Sequence, residues 1–317
     1  MKLYGIIAGL AGCIALSSCN HKDLVYDIES RSEVIVVYDW RNAPDANPAS
    51  MELRLHPVNN PHGVINFFFQ NNTGGPLDAP VGDYTAVTLN GDLTDWAQVR
   101  NHEDADAFEL YTPDATVLPN LSVAARGVPR ADGAEGERMA ETPGMVWADR
   151  QDGIGIHNTP GIQTITFYPE ELVCHYTVDI YDVNHTEYLQ SPRLDATLSG
   201  MAEGVHPGRK ISTDNPVTMP FTLASDAENG SLHGEFLTFG ETSQTSRPHT
   251  LTVYMKLTDG TRWYATADVA SQIAQAPDPH HVHIVLRGIN LPKPINSEGG
   301  LVPVVDEWQT VDIDLPM

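Results

Sequence analysis

The chain is poor in cysteine, in basic residues and in long apolar runs. Three cysteines in 317 residues are too few for the disulfide framework of a small secreted scaffold. Eighteen Lys and Arg against 42 Asp and Glu give a formal charge of −24. Such a charge repels phosphate backbones and anionic headgroups, so nucleic acid is not an expected partner, and its plain meaning is a solvated acidic surface. The apolar stretch Tyr4–Leu16 is shorter than the roughly 20 residues a spanning helix needs. Neither half shows the amphipathic helices of parallel βαβ units. There is no nucleophile elbow, helical zinc-protease motif, phosphate-cradling loop or dinucleotide fingerprint. The sequence therefore reads as a non-enzymatic protein without a cofactor.

What is there begins with the first nineteen residues. Lys2 supplies a positive start, Tyr4–Leu16 an uncharged apolar core, and Leu16-Ser17-Ser18-Cys19 small residues before a cysteine. This is the layout of a cleaved signal peptide. The ending resembles the lipobox of bacterial lipoproteins, in which the cysteine becomes the new N-terminus and receives acyl chains. Cys19 is thus the expected lipid-attachment site, and several chains would hold the protein to a membrane durably, because each buried methylene contributes about 0.8 kcal/mol. Removing the first 18 of 317 residues leaves 299, more than one core usually organises. Cys13 departs with the signal and Cys19 is modified, so Cys174 has no partner and packing alone must hold the fold.

The 25 Gly and 23 Pro are spread through the chain and favour short strands and many turns. After a polar tether over 19–32, strands are expected at 33–40, 51–56, 63–70, 82–90 and 107–112. NNTGGP (71–76) reads as a turn and 124–144 as a long exposed loop too weakly apolar to bury. Short strands at 145–148 and 161–168 flank an uncertain junction. A long strand follows at 172–183 with Cys174, Tyr176, Val178 and Ile180 facing the core, then strands at 193–199, 217–223, 232–238, 250–257, 262–268, 281–287 and 310–315. Leu257-Thr258-Asp259-Gly260-Thr261 is the clearest hairpin turn, and 269–275 a short helical turn. The count predicts an all-β chain: two tandem β-sandwich domains, 33–160 and 161–317.

His281 and His283 lie on one side of a strand, where both could reach one metal ion. Two ligands fall short of a zinc site, and Val282, Ile284 and Leu286 explain the strand by packing alone. His102-Glu103-Asp104-Ala105-Asp106 offers carboxylates but lacks the glycine and distal glutamate of a calcium loop, and Asp149 and Asp152 read likewise as a solvated turn. The five tryptophans are dispersed; Trp96, in LTDWAQ, is the candidate ligand contact.

The lipobox cysteine, the Leu24-Val25-Tyr26-Asp27 tether, the strand ending Tyr38-Asp39-Trp40-Arg41-Asn42-Ala43-Pro44, and Gly299-Gly300-Leu301 leading to Glu307-Trp308-Gln309 together resemble the fimbrial anchor and fimbrillin-like lipoproteins of Bacteroidales, including an uncharacterised lipoprotein branch. The resemblance covers the mature chain and carries over only Cys19 as a functional residue. It implies transthyretin-like Greek-key sandwiches, attachment to the outer membrane through the lipid, and a part in pilus anchoring or adhesion, with fimbrial subunits as partners through β-strand addition. A surface lipoprotein that binds glycans or another ligand is the alternative.

Overall fold

The computed structural model describes residues 30–59, 63–93, 96–242, 248–294 and 307–313. The expected signal peptide, Cys19 and nearly all of the tether lie outside the described residues. Among the described residues nearly every regular element is a strand, as composition and patterning imply.

The first body begins with β1 (Arg31–Tyr38), β2 (Met51–Pro57), β3 (Ile65–Phe69), β4 (Gly74–Pro80) and β5 (Gly82–Asn90). Alternation places Val34, Val36 and Tyr38 of β1 and Met51, Leu53 and Leu55 of β2 in one buried core. The expected turn at 71–76 runs into β4, which pairs antiparallel with β1. Gly74 permits this: its φ is +89°, and a Cβ there would fall 2.2 Å from the Val36 carbonyl oxygen, so only glycine fits.

The chain then leaves this core. β6 (Gln98–Arg100) and β7 (Glu109–Tyr111) pair with each other, and β8 (Val117–Leu118), β9 (Val123–Ala124) and β10 (Arg138–Met139) follow in a long excursion. The expected exposed loop at 124–144 is instead part of a packed strap. Ala125, Val128 and Met139 are buried with Ala115, Leu118 and Tyr254, and β10 pairs in parallel with a strand of the second body. Small apolar residues, too sparse to build a core alone, suffice where an existing sheet supplies the other side.

β11 (Trp147–Ile156), β12 (Gln163–Phe167) and β13 (Glu170–Glu171) return to the first body. The segment read as a short strand and a solvated turn at Asp149 and Asp152 is one ten-residue strand with an irregularity between Gln151 and Ile154. β12 pairs in parallel with β1, from Val34↔Gln163 to Tyr38↔Phe167. Residues 163–167 therefore complete the first core, beyond the boundary expected at residue 161. The resulting sheets, β12-β1-β4 and β13-β11-β5-β2-β3, face each other across that core.

The second body contains β14 (Cys174–Tyr181), β15 (Arg193–Ala202), β16 (Gly204–His206), β17 (Ile211–Ser212), β18 (Pro216–Asp226), β19 (Ser231–Thr238), β20 (Thr250–Lys256), β21 (Arg262–Asp268), the short helix α1 (Ala270–Ala274), β22 (His281–Arg287) and β23 (Trp308–Thr310). One sheet, ordered β22-β14-β19-β18-β15-β20-β21-β23, folds over a single apolar core. Tyr176, Val178 and Ile180 face inward as their alternation requires, and Leu257–Thr261 closes the predicted hairpin with Gly260 at φ +86°.

A third buried cluster joins the bodies. Val87, Leu89 and Ala148 on the far side of the first sheet pack with Phe108, Leu110, Val173, Val205 and Phe239. The middle strands β5 and β11 are thus covered on both sides.

Candidate functional site

The strand β22 presents His281 and His283 on its exposed side, while Val282, Ile284 and Leu286 are buried. The structure surrounds them with histidines and carboxylates from neighbouring strands. His283 Nε2 lies 2.7 Å from Asp179 Oδ2 and His233 Nδ1 lies 2.8 Å from Asp179 Oδ1. His281 Nδ1 lies 2.9 Å from Asp278 Oδ2. His175 Nε2 meets Glu171 at 2.5 Å, and its ring stacks on that of His281 at 5.1 Å. Burial alone would raise the Asp179 carboxyl, but its hydrogen bonds from His233 and His283 outweigh this and hold it below the ordinary value. His281 and His283 therefore engage different carboxylates and do not converge. Among the described residues, no group of three His, Cys, Asp or Glu is placed to hold a metal ion.

Cys174 Sγ lies 3.8 Å from His280 Nδ1, a pairing that in an enzyme could mark a nucleophile. Here burial, reinforced by Glu171 and other carboxylates, pushes the thiol up to about 12. A thiol held protonated at ordinary pH is not an activated nucleophile.

Trp96 is half-buried. Its ring lies 6.4 Å from that of Phe239, and a Cβ on Gly144 would fall 2.6 Å from its Nε1. The indole is seated where the bodies meet, so a Trp96→Ala change would disturb packing as well as any ligand. In the acidic stretch, Asp104 Oδ1 accepts the backbone N–H of Asp106 at 2.8 Å, and Asp106 pairs with Arg150 at 2.5 Å. Asp149, 7 % exposed, accepts the Tyr168 N–H and the Lys210 ammonium. These carboxylates are committed to the fold.

Sequence alternation did not flag the charged row on β2. Glu52, Arg54 and His56 are all buried on the side facing away from the first core. Arg54 pairs with Glu52 at 2.8 Å and lies 4.4 Å over the Phe108 ring. The Glu103 carbonyl lies 3.3 Å from His56 Nδ1; a carbonyl can only accept, so Nδ1 carries the proton, and Nε2 is buried without a partner. Burial lowers the His56 imidazole from its ordinary value and Arg54 adds to this, while burial raises the Glu52 carboxyl. The folded chain thus prefers His56 neutral. Its contribution to stability is complete above the unfolded histidine value of about 6.5 and is lost as pH falls below it. Urea midpoints are expected to drop between pH 7.5 and pH 5 by less in His56→Gln than in the native chain; equal drops would show that His56 does not carry the dependence.

The excursion is also clamped to the second body by charge. Glu203, 8 % exposed, lies 2.5 Å from Arg100, 3.1 Å from Arg138 and 3.0 Å from the Asn215 amide. Burial would raise its carboxyl, but Arg100 and Asn215 hold it below the ordinary value. Two solvent-open grooves lie on the second body. One of about 770 Å³ lies between the strap and the outer side of β18 and β19, with Arg193, Glu235 and Glu141 on its walls. The other, of about 630 Å³, lies within the second body, lined by Cys174, His280, Arg209 and Lys210.

The same fold occurs in a solved candidate adhesin from Bacteroides ovatus ATCC 8483, 18% identical, with a TM-score of 0.62 over 95% of this chain and 99% of that one. The fimbrial anchor protein Mfa2 from Porphyromonas gingivalis is 12% identical, with a TM-score of 0.48 over 82% of this chain and 91% of that one. No curated protein sequence matches. The resemblance read from the lipobox and strand motifs is borne out, and an all-β fold with it. A family profile aligns with residues 18–222, well over half the chain, and on that match the chain belongs to the family described as a domain of unknown function (DUF5119).

Proposed function

We propose that this chain is a non-enzymatic outer-membrane lipoprotein, anchored through acylated Cys19, that serves as a fimbrial anchor or accessory subunit in adhesion. The observation that carries the reading is the fold shared end to end with the candidate adhesin of B. ovatus. The lipobox supports the anchor, and the family match starts at Ser18, immediately before Cys19. The open edge of the five-stranded sheet, β3, offers main-chain groups to a fimbrial subunit by strand addition, a mode in which backbone hydrogen bonds supply affinity without a catalytic side chain.

The experiment is capture of the intact lipoprotein from its native membrane, with mass spectrometry of what accompanies it. Fimbrial subunits in the eluate, and shortened or shed fimbriae after deletion of the gene, are expected. Unchanged fimbrial length, retention and adhesion on deletion would overturn the reading. The groove beside Arg193 and Glu235 favours one alternative, a glycan-binding or other ligand-binding surface lipoprotein, which a glycan array with no hits would remove.

A further inference from the structure

Three loops meet at the end of the first body where the described chain begins. The Val81 N–H donates to the Ser30 carbonyl at 2.7 Å, the Val58 N–H to the Asp83 carbonyl at 2.9 Å, and the Ser32 hydroxyl to the His157 carbonyl at 3.0 Å. Each loop carries an exposed aliphatic side chain: Val58 at 59%, Val81 at 37% and Ile162 at 66%. Single exposed aliphatics are ordinary, but these crown one pole from three separate loops. The described residues of these loops, 57–59, 63–64, 79–82 and 157–162, also include no Asp, Glu, Lys or Arg, in a chain where charged residues make up 19%. Among the described residues, Asp83, Glu33 and the Arg31–Asp78 pair stand beside these loops, and Glu29 precedes Ser30 in the sequence. An acidic protein thus has one end whose loop tips are apolar and uncharged, with charged residues around their base, and it is the end from which the chain runs back toward Cys19.

Ser30 is eleven residues beyond Cys19, a separation that extended backbone spans in no more than about 40 Å. We propose that this pole docks on the lipid surface, with Val58, Val81 and Ile162 seated in the headgroup region of a neutral bilayer. The inference rests on the lipid-anchor reading, which supplies the tether. The tether holds the pole at an effective concentration in the millimolar range, enough to populate a contact too weak to form freely. With no basic residue in the loops, docking owes nothing to anionic lipids and is insensitive to salt. It fixes which end of the molecule faces the membrane and presents the second body outward.

The test couples the mature chain, beginning at Cys19, through that thiol to a maleimide lipid in phosphatidylcholine vesicles. Cys174 is buried and its thiol raised, so coupling is selective. Amide hydrogen exchange in loops 79–82 and 157–162 is expected to slow at least about threefold relative to the uncoupled chain. Protection should be lost in Val58→Ser/Val81→Ser/Ile162→Ser and in the single variant Ile162→Asp, and unchanged at high salt. Equal exchange in coupled and free chains would overturn the proposal, as would protection that requires anionic lipid. The anchor reading is judged separately, by whether the Cys19 peptide from native membranes carries acyl chains; its failure would leave the coupled-chain result standing.

Discussion

Replacing Glu203 with alanine is expected to lower the unfolding free energy by about 3 kcal/mol, at the lower end of the cost of removing one partner from a buried ion pair. The side chain is the meeting point of the excursion, the strap and the second body. Arg100 reaches it from β6, Arg138 from β10 and Asn215 from the approach to β18. Its loss removes one carboxylate from both guanidiniums, although Arg100 retains Glu109 at 2.7 Å and a seat on the Tyr111 ring, and Arg138 retains Asp114 at 2.8 Å and the Thr112 carbonyl at 2.8 Å. That residual pairing, and the 35% exposure of the Arg100 side chain, keep the figure from rising further. Urea denaturation of native, Glu203→Ala and Glu203→Gln chains measures it. The glutamine keeps an acceptor and should lose less. A Glu203→Ala loss below about 1 kcal/mol would place the pair among ordinary surface contacts and remove the clamp from this account.

Asp195→Ala is expected to release the strap. The carboxylate is 1 % exposed and gathers the turn at 120–121: Leu121 N–H at 2.8 Å, Asn120 N–H at 3.3 Å and the Asn120 side-chain amide at 2.8 Å. Hydrogen bonds to a charged acceptor contribute about 1.5–3 kcal/mol each without adding fully, so a loss of about 3 kcal/mol is expected. Strap opening also has a local signature: protease cleavage within 113–143 should quicken more than global unfolding accounts for. Asp195→Asn, which keeps one acceptor oxygen, should fall between. Cleavage rates that follow global stability alone would show that the strap is held by its apolar contacts with Tyr254, and by the Tyr254 hydroxyl donating to the Pro129 carbonyl at 2.7 Å, without need of Asp195.

Both residues were silent in the sequence, and for the same reason. Asp195 occupies a strand position where alternation permits a polar side chain facing water, Glu203 sits in the bend between β15 and β16, and nothing local to either reveals that a segment from elsewhere covers it. The buried row Glu52, Arg54 and His56 was hidden in the same way. β2 alternates as a half-buried strand should, and its polar side is covered by residues reaching from around Phe108. The pair His281 and His283 was legible as a shared strand side. Its partners were not, because Asp179 and His233 come from β14 and β19, some fifty to a hundred residues away in sequence.

Sequence by itself determined that the chain is all-β, where most strands lie, which side of β14 and β22 turns inward, and the sharp turn at Leu257–Thr261. These are local matters of side-chain period, β-branched content and glycine conformation, settled within a few residues. Only the tertiary structure decided that 163–167 completes the first core, that 113–143 packs across the second sheet, and that three uncharged loops crown the end where Ser30 lies. Parallel pairing of β12 with β1 and of β10 with β18 joins segments distant along the chain. Such pairings are chosen by which exposed edge and which uncovered apolar side are free when the bodies come together, information that no short window of residues contains.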